Sequence, residues 1–283
     1  MVAPSVCMTT TQGVCLSSRF AEPCPIRMTH KGGNLIKQQS PSTRFWEIDA
    51  GRGVAIVLMV IYHASYDLNY FDLIDIDPIA GWWLLFASVI ATSFLFVAGI
   101  SLAISHMRRK QRSNALSHQV RRGARIFGWG LLLSLFTVLV IPDMPIFFGI
   151  LHLIGVSIII SGPFLERTRT SLLVGACVIA VGVAVWHQHY ELPIYLWPLL
   201  KTWGVATADY FPLLPWWGVV LLGIGVGRIA YPGGERIVDV PSWGDVAPIR
   251  ALSVMGRRSL FIYLLHQPML FSILLAVTGT MPL

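Results

Sequence analysis

The chain has 283 residues, 55% of them hydrophobic and only 12% charged, with a net charge of +7. Soluble domains carry about 25% charged residues, so this balance excludes a soluble globular domain and leaves no room for one beside a single anchor. Apolar runs recur from residue 53 to the C-terminus and the mean hydropathy is +0.67, the pattern of an all-α polytopic membrane protein.

Residues 1–43 differ in kind. They are rich in Ser, Thr, Pro and Gly and hold no apolar core of signal-peptide length, so a disordered tail is expected. Cys7, Cys15 and Cys24 lie here at spacings that fit no zinc template, and Cys177 falls inside an apolar run. Neither a metal site nor a disulfide is read from them.

Residues 44–283 are read as one membrane domain with about seven transmembrane helices. The runs lie near 53–71, 80–105, 124–141, 146–163, 170–187, 211–229 and 259–279. The fourth has the weakest start, because Pro142 and Pro145 crowd its entrance. With a cytoplasmic N-terminus, 20 of the 21 Lys and Arg fall on the inner side and only Lys201 lies outside. That sorting predicts an outside C-terminus and a multi-pass protein of the plasma membrane. It also accounts for the positive charge, so the bilayer is the expected partner and nucleic acid is not. The sequence leaves the oligomeric state open.

The first apolar run carries the strongest constellation. Arg52 and His63 are eleven residues apart, three helical turns plus about 20°, so they share a face roughly 16 Å apart along the axis. Asp67 lies one turn beyond His63 on that face, placed to fix the tautomer of the ring. Ionisable groups inside a membrane segment are costly and are functional candidates by default. The plainer reading of His63 is a packing histidine bonded across helices.

His266 precedes Gln267 and Pro268, and Pro268 frees the carbonyl of Leu264 inside the last run. A polar kink beside a histidine suits a binding cavity, or simply a satisfied kink. His63, Asp67 and His266 are therefore the catalytic candidates, expected to converge on one cavity. His152, Asp209 and Asn69 fall in the outer half and are the candidates for substrate binding, although Asp209 could equally cap the sixth helix. Arg52, with Arg257 and Arg258, could hold phosphates at the inner mouth; positive-inside anchoring is the plainer account of the latter two. Gly53 allows close backbone approach beside Arg52, and Gly223, Gly225 and Gly227 allow helices to pack closely.

Four blocks carry a family resemblance. They are 44–71 with Asp49-Ala-Gly-Arg52-Gly and His63, then Phe148-Gly-Ile-Leu-His152-Leu-Ile-Gly155, Asp209-Tyr-Phe-Pro-Leu-Leu-Pro-Trp216, and Gly256-Arg-Arg-Ser-Leu-Phe-Ile-Tyr-Leu-Leu-His266-Gln-Pro268. In this order they resemble the membrane family named for the catalytic domain of heparan-α-glucosaminide N-acetyltransferase, in its small prokaryotic form. The first block alone is also similar to other membrane acyltransferases. The resemblance implies acyl transfer from an acyl-CoA, acetyl-CoA above all, to a sugar amine or hydroxyl. One departure is visible: the lysosomal enzyme has its proposed catalytic histidine in the loop after the first span, whereas Asp72–Ala80 contains none.

The expected protein is thus a membrane-embedded acyltransferase. Cytosolic acyl-CoA would be a co-substrate, held at Arg52, and the acceptor would be an extracytoplasmic sugar or glycan. The rival is a proton-coupled transporter or channel-like protein without transferase activity, since buried His and Asp also serve proton relays. No internal duplication of the kind many transporters carry is found in the sequence.

Overall fold

The computed structural model describes residues 26–31, 34–39, 44–78, 80–109, 115–186, 188, 191–202, 207–238, 240–241 and 243–279. The chain divides into two compact units, Met1–Phe45 and Trp46–Leu283. In the first unit, β1 (Ile26–Lys31) pairs antiparallel with β2 (Asn34–Gln39), Lys31 opposite Asn34. The sequence reading assigns no element there; in the sequence a Gly32-Gly33 pair separates the strands, a hairpin-turn signal. Cys7, Cys15 and Cys24 lie outside the described residues.

The second unit is all-α, as the sequence predicts. Its helices are α1 (Trp46–Tyr70), α2 (Gly81–Arg109), α3 (Ala115–Val140), α4 (Ile150–Ile160), α5 (Thr168–Trp186), α6 (Leu213–Ala230), α7 (Ala247–Arg257) and α8 (Ser259–Thr278). Six of them are long and apolar enough to cross a membrane, and α4 is a shorter apolar helix of 11 residues.

The fourth predicted span therefore needs correction. It is not one long helix over 146–163 but a non-helical entry followed by α4. Pro145 disfavours helix in the residue before it, and residues 146–149 are non-helical, with Gly149 extended. Phe148 bridges Tyr210, and its carbonyl accepts from the Phe211 amide at 2.9 Å. The Ile146 amide donates to Thr137 Oγ1 on α3 at 3.0 Å. At the far end, Gln119 Nε2 donates to the Ile158 carbonyl at 2.6 Å. Residues 146–158 thus run antiparallel to the stretch of α3 between Thr137 and Gln119, about 27 Å of helix. That is close to the hydrocarbon thickness of about 30 Å.

α1 and α8 lie side by side in the same direction, with His63 beside His266, Asp67 beside Gln267 and Phe71 beside Phe271. The first and the last long apolar helix thus start at the same end of the bundle.

The core sits around α6. Leu95 of α2, Leu153 of α4, and Leu221 and Ile224 of α6 have no exposed surface. Small residues bring the backbones together: a Cβ on Gly99 would lie 2.2 Å from the Val220 carbonyl, and one on Gly223 would lie 2.3 Å from that of Phe96. Such close approach replaces the hydrophobic drive that lipid cannot supply. The glycine-rich turn of α6 thus packs as the sequence predicts.

α7 is an element the sequence reading omits. It follows a Pro at its first turn and packs along α1, where a Cβ on Gly53 would meet the Leu252 carbonyl at 2.0 Å and one on Gly256 the Asp49 carbonyl at 1.8 Å. Gly53 is the close-approach point expected of it. Glu47 at the start of α1 accepts from Arg236 Nε at 2.7 Å and from the Tyr231 hydroxyl at 3.0 Å, which ties the 231–238 segment to the same end.

Candidate active site

The polar heart of the bundle lies between α1 and α8. The His63 and His266 rings meet with centroids 4.9 Å apart and planes at 58°. Both sit in otherwise apolar helical stretches, so neither can shed its polarity to water. His266 is 9% exposed. Its Nδ1 lies 2.7 Å from the Tyr263 carbonyl one turn back. A carbonyl only accepts, so Nδ1 carries the hydrogen and Nε2 carries the lone pair. Nε2 is buried and has no partner among the described residues.

Asp67 is 2% exposed. Its Oδ1 accepts from Gln267 Nε2 at 2.7 Å. The expectation that Asp67 orients His63 is therefore corrected: its hydrogen bond goes across to α8. The reason is angular, since residues four apart on a helix diverge by about 40° while the facing helix offers an amide directly. Gln267 is the residue the sequence reading missed. Its position beside His266 and Pro268 was visible, but an amide carries no charge to mark it. Asp67 Oδ2 and Gln267 Oε1 are both buried without a partner.

The structure thus brings His63, Asp67 and His266 together. It does not bring His152, Asp209 or Asn69 to the same contact. His152 is 2% exposed, stacked on Phe148 with centroids 5.6 Å apart and edge-on to Phe127 at 5.1 Å. Its Nδ1 accepts from the Gly149 amide at 3.2 Å, closing the first turn of its own helix.

Asp209 caps a helix, but α4 rather than the sixth span. Its Oδ2 accepts from the Ile150 amide at 3.0 Å and from the Tyr263 hydroxyl at 3.2 Å. An acidic group at a helix start meets orphan amides and the positive end of the dipole. Burial nevertheless pushes its carboxyl up to about 6. Tyr263 therefore links two sites: its carbonyl holds His266 and its hydroxyl holds Asp209. Asn69 Oδ1 accepts from the Ile76 amide at 3.1 Å and pins the loop after α1. Its side chain also lines a pocket of about 300 Å³ with Tyr66, Tyr70 and Asp77.

At the other end of α1, Arg52 Nη2 donates to Ser101 Oγ at 2.5 Å, and Nη1 lies 3.6 Å from Asp49 Oδ1. Arg122 of α3 lies within the field of Arg52 and of Arg109 on α2. Arg109 and Arg122 line one small pocket with Ser105, His106, His118 and Gln119. Three guanidinium groups from three helices thus lie within one another's field. Arg257 at the end of α7 and Arg258 just after it are exposed. Among the described residues no group of three or more His, Cys, Asp or Glu could hold a metal.

A family model described as heparan-alpha-glucosaminide N-acetyltransferase, catalytic, matches residues 44–268. No curated protein and no solved structure matches the chain. The matched stretch runs from the residues before α1 through Pro268 and so contains Arg52, the two facing histidines, Asp67 and Gln267. By that match over most of its length, the chain belongs to the heparan-α-glucosaminide N-acetyltransferase catalytic-domain family.

Proposed function

We propose that the protein is a membrane-embedded acyltransferase that moves an acyl group, acetyl above all, from acyl-CoA to a sugar or glycan amine or hydroxyl. The observation that carries this reading is the contact of His63 with His266 at 4.9 Å, inside a bundle whose sequence matches an acetyltransferase family.

His266 Nε2 is the base, because its other nitrogen is committed to the Tyr263 carbonyl. The acceptor X–H gives its proton to Nε2 as the lone pair on X forms a bond to the thioester carbonyl carbon. Collapse of the tetrahedral intermediate breaks the C–S bond, and the leaving thiolate takes the same proton back. The products are acyl-X and free CoA thiol. His63, packed on His266, stabilises the imidazolium while it exists. Burial strengthens these interactions because few water dipoles compete.

Acyl-CoA enters at the basic mouth, its phosphates at Arg52 with Arg109 and Arg122; Arg257 and Arg258 are candidates further along the same end. Arginine forks match phosphate oxygens. The roughly 16 Å from Arg52 to His63 is comparable to a pantetheine arm. The excess of Lys and Arg at this end makes it the cytoplasmic side of the plasma membrane. The acceptor then arrives from the outside, past the 300 Å³ pocket at Tyr66, Asn69 and Asp77.

The test is transfer of label from acetyl-CoA to a panel of amino and hydroxy sugars by the purified protein in lipid. Transfer that His266→Ala removes supports the reading. A wild-type protein that transfers nothing, yet carries protons or solutes across the bilayer, overturns it.

A further inference from the structure

Among the described residues His266 is the only buried one in α8. Apolar burial therefore does little to fix how that helix is turned about its axis. Two side chains fix it instead. Gln267 Nε2 donates to Asp67 Oδ1 on α1 at 2.7 Å, and the Tyr263 hydroxyl donates to Asp209 Oδ2 at 3.2 Å. They stand one turn apart and reach different partners. Tyr263 is also the one side chain of α8, among the described residues, that packs against the central core. A single bond would leave the helix free to turn about it; the pair does not.

Asp209 is itself fixed from several sides. Its Oδ2 accepts from the Ile150 amide at 3.0 Å, and a Cβ on Gly149 would lie 2.2 Å from that oxygen, so the carboxylate rests directly on the start of α4. Its neighbour Tyr210 bridges Phe148, and the Phe211 amide donates to the Phe148 carbonyl at 2.9 Å. Within α8 the His266 ring is aimed by its own backbone, since Nδ1 donates to the Tyr263 carbonyl at 2.7 Å. That bond sets the ring relative to α8; it does not set where α8 stands. Pro268 cannot donate to the Leu264 carbonyl, so the turn that carries His266 lacks one backbone bond and yields more easily.

We propose that Asp209 and Tyr263 are positioning residues for His266: the carboxylate at the start of α4 holds the Tyr263 hydroxyl, and that hold keeps the His266 ring against His63. The inference rests on the transferase reading for its effect on rate, and on geometry alone for the placement of the ring. In this role Asp209 and Tyr263 take no proton and touch no substrate. The ring centroids of Tyr263 and His266 are 5.6 Å apart, and those of His266 and His63 are 4.9 Å apart, so a turn of α8 at Tyr263 carries directly to the histidine pair. A general base works only within hydrogen-bond reach of the proton it abstracts. Misplacing a reacting group by about 1 Å can cost about 10²-fold in rate.

Two measurements on the full-length protein in nanodiscs test this. The first is acetyl transfer. Tyr263→Phe removes one hydroxyl and keeps the ring; its kcat should fall by about 10²-fold with KM for acetyl-CoA unchanged. Asp209→Asn keeps an oxygen that accepts from both Tyr263 and Ile150, and should retain most of the transfer that Asp209→Ala loses. Adding Tyr263→Phe to Asp209→Ala should cost nothing more, because the hydroxyl has no partner left to hold. The second measurement is a density map of Tyr263→Phe, in which the His63 and His266 centroids should stand clearly further apart than 4.9 Å. Rings parted in the variant of a protein whose wild type transfers nothing support the positioning and remove the transferase reading. Rings still in contact, a Tyr263→Phe protein with the wild-type kcat, or Asp209→Asn as inactive as Asp209→Ala overturns the inference.

Discussion

Two helix interfaces in this bundle are built on opposite principles. Where α6 meets α2 and α5, the contact is made of glycines and branched apolar side chains, and backbone touches backbone. A Cβ on Gly218 would lie 2.6 Å from the Gly175 carbonyl, and one on Gly227 would lie 2.9 Å from Ile100 Cα. Where α1 meets α8, two histidines, a carboxylate and an amide face one another, and three acceptors among them lack partners. The first interface is closed by backbone and apolar contact. The second holds polar groups in a place where leaving them unpaired is costly. A bundle can carry that cost only because the α6 interfaces hold the frame. The contrast separates where stability resides from where chemistry resides.

The comparison predicts its own failure modes, largest first. Replacing His266 by Ala should lower transfer by about 10²- to 10⁴-fold, the usual worth of a general base, while expression and Tm change little. His63→Ala should give a smaller loss of the same kind. Substitution at the α6 interface should do the opposite. Gly223→Leu drives a side chain into the Phe96 carbonyl and should remove most folded protein from membranes, measured by fluorescence-detected gel filtration. A Gly223→Leu protein that folds normally would show that α6 does not hold the frame.

Asp209 allows an intermediate test. Burial raises its carboxyl from 3.8 to about 6. Ionisation therefore costs the folded state more than the unfolded one. The stability this group contributes is complete below about pH 4 and lost as the pH rises through about 6. The Tm of Asp209→Asn should lose that part of the pH dependence, and a curve parallel to the wild type would contradict it. The smallest effect is expected from the tail. A protein starting at Pro41 should insert with unchanged Tm, because Met1–Phe45 forms a compact unit of its own and the helical unit begins at Trp46.

Much of this was legible in the sequence where physics leaves a loud signal. His63, Asp67 and His266 stood out because charge or polarity inside an apolar run is expensive, and the parallel α1 and α8 bring them together. What was not legible depends on facing surfaces. The sequence gives Asp67 a neighbour four residues away, but its partner Gln267 is two hundred positions distant and uncharged. Asp209 announced a helix cap, yet which helix it caps depends on the isolated bridge between Phe148 and Tyr210. The fourth span was readable as apolar and its Pro145 as an obstacle; that its helix begins only at Ile150 was not, because apolar content alone does not fix where a helix starts. The gathering of Arg109 and Arg122 around Arg52 was hidden among topogenic charges on the same side.

The most direct test of the central claim is a high-resolution density map of the protein incubated with acetyl-CoA. The account predicts phosphate density at Arg52, Arg109 and Arg122, an arm running along α1, and the thioester within reach of the His63 and His266 rings. A cofactor bound elsewhere on the bundle, with its thioester remote from both histidines, would contradict it.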